Sequence, residues 1–198
     1  MTETDPRICA LLGSRICHDL VSPLGAISNG VELLQMSGMG NSPELMLITE
    51  SVENANARIR LFRVAFGAAS PEQRIARAEL TEILRPIGQG RKIEIDWALP
   101  ADMPRDTARL VLLLLLCCET VLPFGGQVAV ETEAQRIAIV VTAERLRDLP
   151  DLWQQATGES NEMPQASEIH FPLAAHAAAE MGARISVMQE EGRIAISA

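Results

Sequence analysis

An imidazole followed at once by a carboxylate, His18-Asp19, stands in the run Ile16-Cys17-His18-Asp19-Leu20-Val21-Ser22-Pro23-Leu24-Gly25-Ala26-Ile27. A neutral imidazole is a nitrogen nucleophile near neutral pH, since its unperturbed pKa lies near ~6.5, and the phosphoramidate it forms keeps a high transfer potential. The apolar residues around it, Leu12, Ile16, Leu20, Leu24, Ile27, Val31 and Leu34, recur at steps of three or four, which predicts an amphipathic helix. At about 100° per residue His18 lies about 200° from both Ile16 and Leu20, so it faces away from that stripe. Its own face carries Ser14, Ser22, Gly25 and Asn29, all small or uncharged, which leaves the ring protruding where a partner protein can close around it. The chemistry expected of such a residue is the carriage of a phosphoryl group. Asp19 is expected to hydrogen-bond the ring and hold the useful tautomer. Pro23 removes one backbone hydrogen bond and is expected to bend or loosen the helix one turn away.

The elements that must position this histidine are legible nearby. Asp5-Pro6 reads as an N-cap followed by proline at the first helical position, and the helix runs to about Met36. Ser37-Gly38-Met39-Gly40-Asn41 reads as a flexible turn, and Ser42-Pro43-Glu44 starts a second helix by the same logic. There Leu45, Ile48, Val52, Ala55, Ile59, Phe62 and Phe66 step 3,4,3,4,3,4, a heptad seam that Gly67 closes. Two helices of about 30 and 25 residues make a hairpin, and a hairpin alone cannot enclose two apolar stripes. The expectation is a symmetric homodimer whose hairpins form a four-helix bundle; the alternative is a monomer whose hairpin packs on its own C-terminal domain.

With 198 residues the chain is long enough for two small domains, expected at 1–70 and 71–198. Net charge is −9 and the arginines are scattered, so no basic surface is expected for nucleic acid or anionic lipid. Cys9, Cys17, Cys117 and Cys118 show no C-x-x-C spacing and fall in apolar stretches, as reduced buried thiols do. The apolar run from Leu110, interrupted by Glu119, is shorter than the roughly 20 residues that cross a bilayer. Met1-Thr2-Glu3-Thr4-Asp5 lacks the positive start of a signal peptide. A cytoplasmic protein is expected.

Residues 68–77 read as a linker or helix continuation. Beyond them come a helix at 79–87, a strand at 92–97, a very apolar helix at 105–122 and a hairpin of 127–132 with 136–142. An irregular acidic stretch containing Asp148, Asp151 and Glu159 follows and reads as a solvated face. A helix at 172–181 and a last hairpin of 184–189 with 192–197 complete the chain. Neighbouring strands are expected to pair as hairpins with helices on one face. The fold class is therefore α+β: a helical hairpin, then a two-layer α/β sandwich with the 105–122 helix buried on its sheet. Leu112 to Leu116 read as core, and His170 and His176 as structural.

The His-Asp pair with Pro23-Leu24 five residues on resembles the H-box of sensor histidine kinases, and a hairpin followed by a sandwich resembles their dimerisation and ATP-binding domains. Leu112 to Glu119, with Leu122-Pro123-Phe124-Gly125-Gly126-Gln127-Val128, resembles the segment of the kinase N-box and the strand after it. Phe171-Pro172-Leu173 through Met181-Gly182-Ala183-Arg184-Ile185-Ser186-Val187 resembles the last helix and hairpin. The nucleotide elements depart. Leu113 and Cys117, the candidate positions for the magnesium-ligating asparagines, offer no oxygen. Thr142-Ala143-Glu144-Arg145-Leu146-Arg147 has no glycine where a D-x-G-x-G motif belongs, and His170-Phe171-Pro172 replaces a triphosphate-cradling turn. A histidine hairpin joined to a nucleotide-free kinase-like domain resembles the ChpT-like histidine phosphotransferase family of alphaproteobacteria, as does Leu61-Phe62-Arg63-Val64-Ala65-Phe66-Gly67.

That resemblance implies a relay in which His18 is phosphorylated and passes the group between receiver-domain aspartates of hybrid kinases and response regulators. No intrinsic cofactor is implied, the Mg²⁺ coming with the partner receiver. Ser14, Arg15, Ser22, Gly25, Asn29, Arg60 and Arg63, around or level with His18, are the expected receiver-docking residues. Arg58, Arg60 and Arg63 are placed at about the level of His18, where attraction of an acidic pocket and simple solvation are equally good readings. Two alternatives stay open: a divergent kinase that labels His18 from ATP, and a non-catalytic dimeric adaptor.

Overall fold

The spacing of apolar residues at 3.6 per turn and two proline-led starts produce two long helices, α1 (Pro6–Leu34) and α2 (Pro43–Ala65). The computed structural model describes residues 6–36, 42–69, 72–133 and 136–198; Asp5 and the expected turn Ser37 to Asn41 lie outside them. Pro23 sits inside α1 without interrupting it, and one wider turn at Gln35-Met36 ends the helix. Ser42 caps α2: its hydroxyl accepts the Leu45 N–H at 3.1 Å, with Pro43 in the first turn. Helix α2 stops one residue short of the expected seam, because Phe66 is its C-cap, with its N–H on the Phe62 carbonyl at 2.8 Å.

Three pairs set the antiparallel register of the hairpin. Gln35 donates to the Thr49 hydroxyl at 3.2 Å and Asn56 to the Ser28 hydroxyl at 3.2 Å. Gly13 lies against Phe66 so closely that a Cβ on the glycine would stand 3.5 Å from the Phe66 Cβ. The apolar seam of α2 divides along its length: Leu45, Val52 and Ile59 are buried, while Ala55, Phe62 and Phe66 are half-buried and Ile48 is 46% exposed. The stripe on α1 divides the same way. Val31 is buried and Leu24 half-buried, but Ile16, Leu20, Ile27 and Leu34 remain 43–50% exposed, while Cys17, beside the stripe, is buried.

The chain forms two compact units, Met1–Ala68 and Ala69–Ala198. The second contains β1 (Arg74–Ala76), α3 (Arg77–Arg91), β2 (Ile93–Trp97), β3 (Asp102–Pro104), α4 (Arg105–Val121), β4 (Gly126–Glu133) and β5 (Arg136–Thr142). It continues with α5 (Pro150–Thr157), α6 (His170–Glu180), β6 (Ser186–Glu190) and β7 (Arg193–Ser197). Five strands form one sheet in the order β2-β4-β5-β7-β6, antiparallel except that β2 and β4 are parallel. The parallel pair corrects the expectation of hairpin pairing throughout: α4 carries the chain from one end of the sheet back to the other, so β4 must run the same way as β2. Alternation then puts one face inward. Val128, Val141 and Ile194 share a cross-strand row, and Val130, Ile139 and Ile196 the next, all buried.

Helix α4 is buried nearly throughout, with Leu112, Leu113 and Leu114 at 0% exposure. At the turn into β4, a Cβ on Gly126 would lie 2.7 Å from the Thr142 carbonyl oxygen and 2.8 Å from Leu122 Cδ2, so β4 can begin beside β5 only at a glycine. Three elements go beyond the sequence reading. Residues expected as linker contribute β1, which pairs with β3 in a two-stranded ladder that Arg74 and Asp102 close with two bonds of 2.7 Å. The stretch expected to be irregular and solvated holds α5, which buries Leu152, Trp153 and Ala156 and ends on Gly158 at φ +79°. Helix α6 begins at His170, so Pro172 lies inside its first turn, where its missing N–H is tolerated.

Candidate functional site

His18 projects from the middle of α1 with its side chain 83% exposed. Its Nδ1 lies 3.2 Å from Asp19 Oδ1, and the other carboxylate oxygen, Oδ2, accepts from Arg15 Nε at 2.8 Å. The hydrogen bond from His18, followed by that from Arg15, holds the Asp19 carboxyl below the usual carboxylate range, so it is ionised near neutral pH. An ionised carboxylate only accepts, which makes Nδ1–H the donor and leaves the lone pair on Nε2. The arrangement is thus a solvent-facing imidazole with its outer nitrogen nucleophilic and its inner nitrogen tied down.

The remaining expected docking residues fall around it unevenly. Ser22 and Asn29 are exposed and Gly25 is half-buried; a Cβ on Gly25 would meet nothing within 4 Å, so packing inside the hairpin does not require the glycine. The side chain of Ser14 lies outside the described residues, as does that of Cys9. The register of the hairpin brings Arg63 level with His18, and its charge reaches the neighbouring Cys17: burial raises that thiol's pKa while Arg63 pulls the other way. Arg60 is exposed and about a turn nearer the connection between the helices. Arg58 is laid over the Phe62 ring at 5.4 Å. The contact the sequence reading missed is Arg15 to Asp19. Its only signal was the i, i+4 spacing of opposite charges on one helix.

In the second unit, Leu113 and Cys117 are fully buried. The chain after β5 contributes Ala143, Glu144 and Arg145 to a pocket of about 380 Å³ shared with Phe124, Gly125 and Gly126. His170 is buried, its Nε2 3.0 Å from the Thr120 hydroxyl and its ring 4.8 Å from that of Phe171. His176 lies 3.4 Å from Glu180. His170 thus ties α6 to α4, whereas His176 pairs within α6. Among the described residues no group of three or more His, Cys, Asp or Glu side chains could hold a metal ion, and no helix is long and apolar enough to cross a membrane.

A two-helix unit with an exposed histidine, followed by an α/β sandwich of this topology, suits a histidine phosphotransferase, and comparison with known proteins shows that family. The family of the histidine phosphotransferase C-terminal domain matches residues 77–193, more than half of the chain, which belongs to that family. Protein phosphotransferase ChpT of Brucella abortus (strain 2308) is 34% identical over 196 residues, covering 96% of this chain and 93% of that protein. A solved structure described as a bacterial phosphotransferase aligns with 100% of this chain and 98% of its own, at a TM-score of 0.68 and 30% identity.

Proposed function

We propose that His18 is the phosphorylated residue of a phosphorelay, accepting a phosphoryl group from a receiver-domain aspartate and passing it to the aspartate of a second receiver. The observation that carries this is the pairing of an 83% exposed His18 ring with an ionised Asp19 on its Nδ1. In the forward step Nε2 attacks the phosphorus of the aspartyl phosphate. The N–P bond forms, the P–O bond to the aspartate breaks, and the carboxylate leaves. The ring gains positive charge while Nδ1 keeps its proton, and Asp19 stands beside that charge. The second transfer reverses these changes on another carboxylate. Mg²⁺ held by the receiver would neutralise the phosphoryl oxygens, so the phosphotransferase needs no cofactor of its own.

Burial of Leu113 and Cys117 supports a reading without ATP, as does Pro172 in the first turn of α6, where it offers no N–H to a phosphate. The exposed half of the hairpin seam supports a homodimer, in which a second copy covers Ile16, Leu20, Ile27 and Ile48 to complete a four-helix bundle. Buried free thiols at Cys17, Cys117 and Cys118 suit a reducing cytoplasm.

The deciding experiment compares label on His18 from a phosphorylated receiver with label from Mg²⁺-ATP alone, with His18→Ala as control. Label from the receiver alone is expected. Label from ATP alone would make the protein a kinase, and function that survives His18→Ala would make it an adaptor.

A further inference from the structure

We infer that Arg15 is a positioning residue for phosphoryl transfer, acting on His18 through Asp19 instead of through the docked partner. The inference rests on the assignment of His18 as the phosphorylated residue. The Asp19 carboxylate divides its oxygens, Oδ2 to Arg15 Nε at 2.8 Å and Oδ1 to His18 Nδ1 at 3.2 Å. Arg15 stands four residues before Asp19 and three before His18, so all three side chains rise from one face of α1. Asp19 is 51% exposed, and one hydrogen bond to its neighbour in sequence leaves the carboxylate free to swing about χ1 and χ2. Fixing Oδ2 removes that freedom and holds Oδ1 at the ring.

The need for this lies in the tautomer. A neutral imidazole carries its one ring proton on either nitrogen, and an unconstrained histidine favours Nε2–H. That form has no lone pair on the outward nitrogen and cannot attack phosphorus there. Asp19 selects the reactive Nδ1–H form, and Arg15 keeps Asp19 in place to do so. These three residues, all on one helix surface, thus suffice to present a nucleophile. An exposed ion pair at this spacing biases a rotamer by about twofold, so the effect of losing Arg15 should be modest, about 2- to 5-fold in rate.

Phosphoramidate, a small donor without a docking surface, tests this on the full-length protein. Its P–N bond breaks to release ammonia as His18 Nε2 bonds to phosphorus. Uptake is followed by ³¹P NMR, and the tautomer of His18 by ¹⁵N chemical shifts before donor is added. Arg15→Ala is expected to slow uptake about 2- to 5-fold and move the ring toward Nε2–H, and Arg15→Lys to restore most of both. In an Asp19→Ala background Arg15→Ala is expected to change neither. Unchanged uptake and tautomer in Arg15→Ala, with transfer from a phosphorylated receiver alone impaired, would make Arg15 a docking residue and overturn the proposal. An equal loss with and without Asp19 would overturn it too. If the wild type takes no label at His18 from any donor, the phosphotransfer assignment fails, while the ¹⁵N shifts still report whether Arg15 governs the ring.

Discussion

In the proposed relay His18 is the nucleophile and Asp19 its partner, and the titration of Asp19 has a definite sign. Asp19 is held below the usual carboxylate range in the folded chain, so its contacts to His18 and Arg15 are intact above that range and are lost as pH falls through the lowered value. Near neutral pH the carboxylate is therefore a permanent acceptor. Asp19→Asn keeps the shape but loses the charge that stabilises the ring after attack, and an amide can turn its NH₂ toward Nδ1 and favour the wrong tautomer. Uptake of phosphate at His18 should fall about tenfold, below the range for loss of a true general base, with receiver affinity unchanged. The cysteines give the opposite case, side chains with chemistry that the fold suppresses. Burial pushes the Cys118 thiol up to about 12 and Cys117 well above its ordinary value. Neither should react with iodoacetamide near neutral pH until the second unit opens, so alkylation followed by mass spectrometry should show both residues modified only in denaturant. Immediate labelling of the native protein would contradict the buried placement.

At the scale of elements, what the sequence announced and what it concealed follow from local and non-local forces. Helices α1, α2 and α4 were legible because proline starts and unbroken 3.6-residue periodicity are local signals. Strands β1 and β3, each of three residues, carry no period long enough to detect, and pair through residues 28 positions apart, Ile75 with Met103 in the core and Arg74 with Asp102 at the surface. Helix α5 hid in an acidic stretch because its buried Leu152, Trp153 and Ala156 span only a turn and a half. The division of the hairpin seam into buried and exposed halves is likewise a tertiary fact: periodicity gives the width of an apolar stripe, not how much of it one neighbour covers. The histidine and its neighbouring carboxylate are readable in the candidate site, but the contact of Arg15 with Asp19 is not, since spacing alone does not tell which charge an exposed side chain meets. Two substitutions test the elements. Ser42→Ala removes the hydroxyl that accepts the Leu45 N–H and should cost about 1 kcal/mol in chemical denaturation. Leu113→Asn places an amide at the candidate position that the kinase resemblance gives for a magnesium-ligating asparagine. Leu113 is fully buried, so the expected result is a loss of about 3 kcal/mol or more and no gain of nucleotide binding, checked by denaturation and by calorimetry with Mg²⁺-ATP.

For the molecule as a whole, the exposed seam bears on whether the chain works alone or in pairs. Ile16, Leu20, Ile27 and Leu34 lie at steps of four and seven along α1, each 43–50% exposed, and Ile48 continues the apolar surface on α2 at 46%. A line of half-exposed large aliphatic side chains at coiled-coil spacing is incompletely buried by one hairpin, and a second identical hairpin supplies the same spacing in return. His18, about 200° around the helix from Ile16 and Leu20, would then stay outside the bundle in both copies and remain open to receivers. Covering the exposed half of one isoleucine is worth about 1 kcal/mol, and twofold symmetry counts it twice, so a charge at Ile27 should cost about 2 kcal/mol and weaken pairing roughly 30-fold or more. Ile27→Glu is therefore expected to shift the protein from dimer to monomer at micromolar concentration in light scattering coupled to size exclusion. Its phosphoryl uptake from phosphoramidate should stay near that of the wild type, because Arg15, Asp19 and His18 belong to one helix of one chain. A wild-type chain that is monomeric at every concentration would remove the dimer and return the exposed seam to the alternative in which a hairpin works without a second copy.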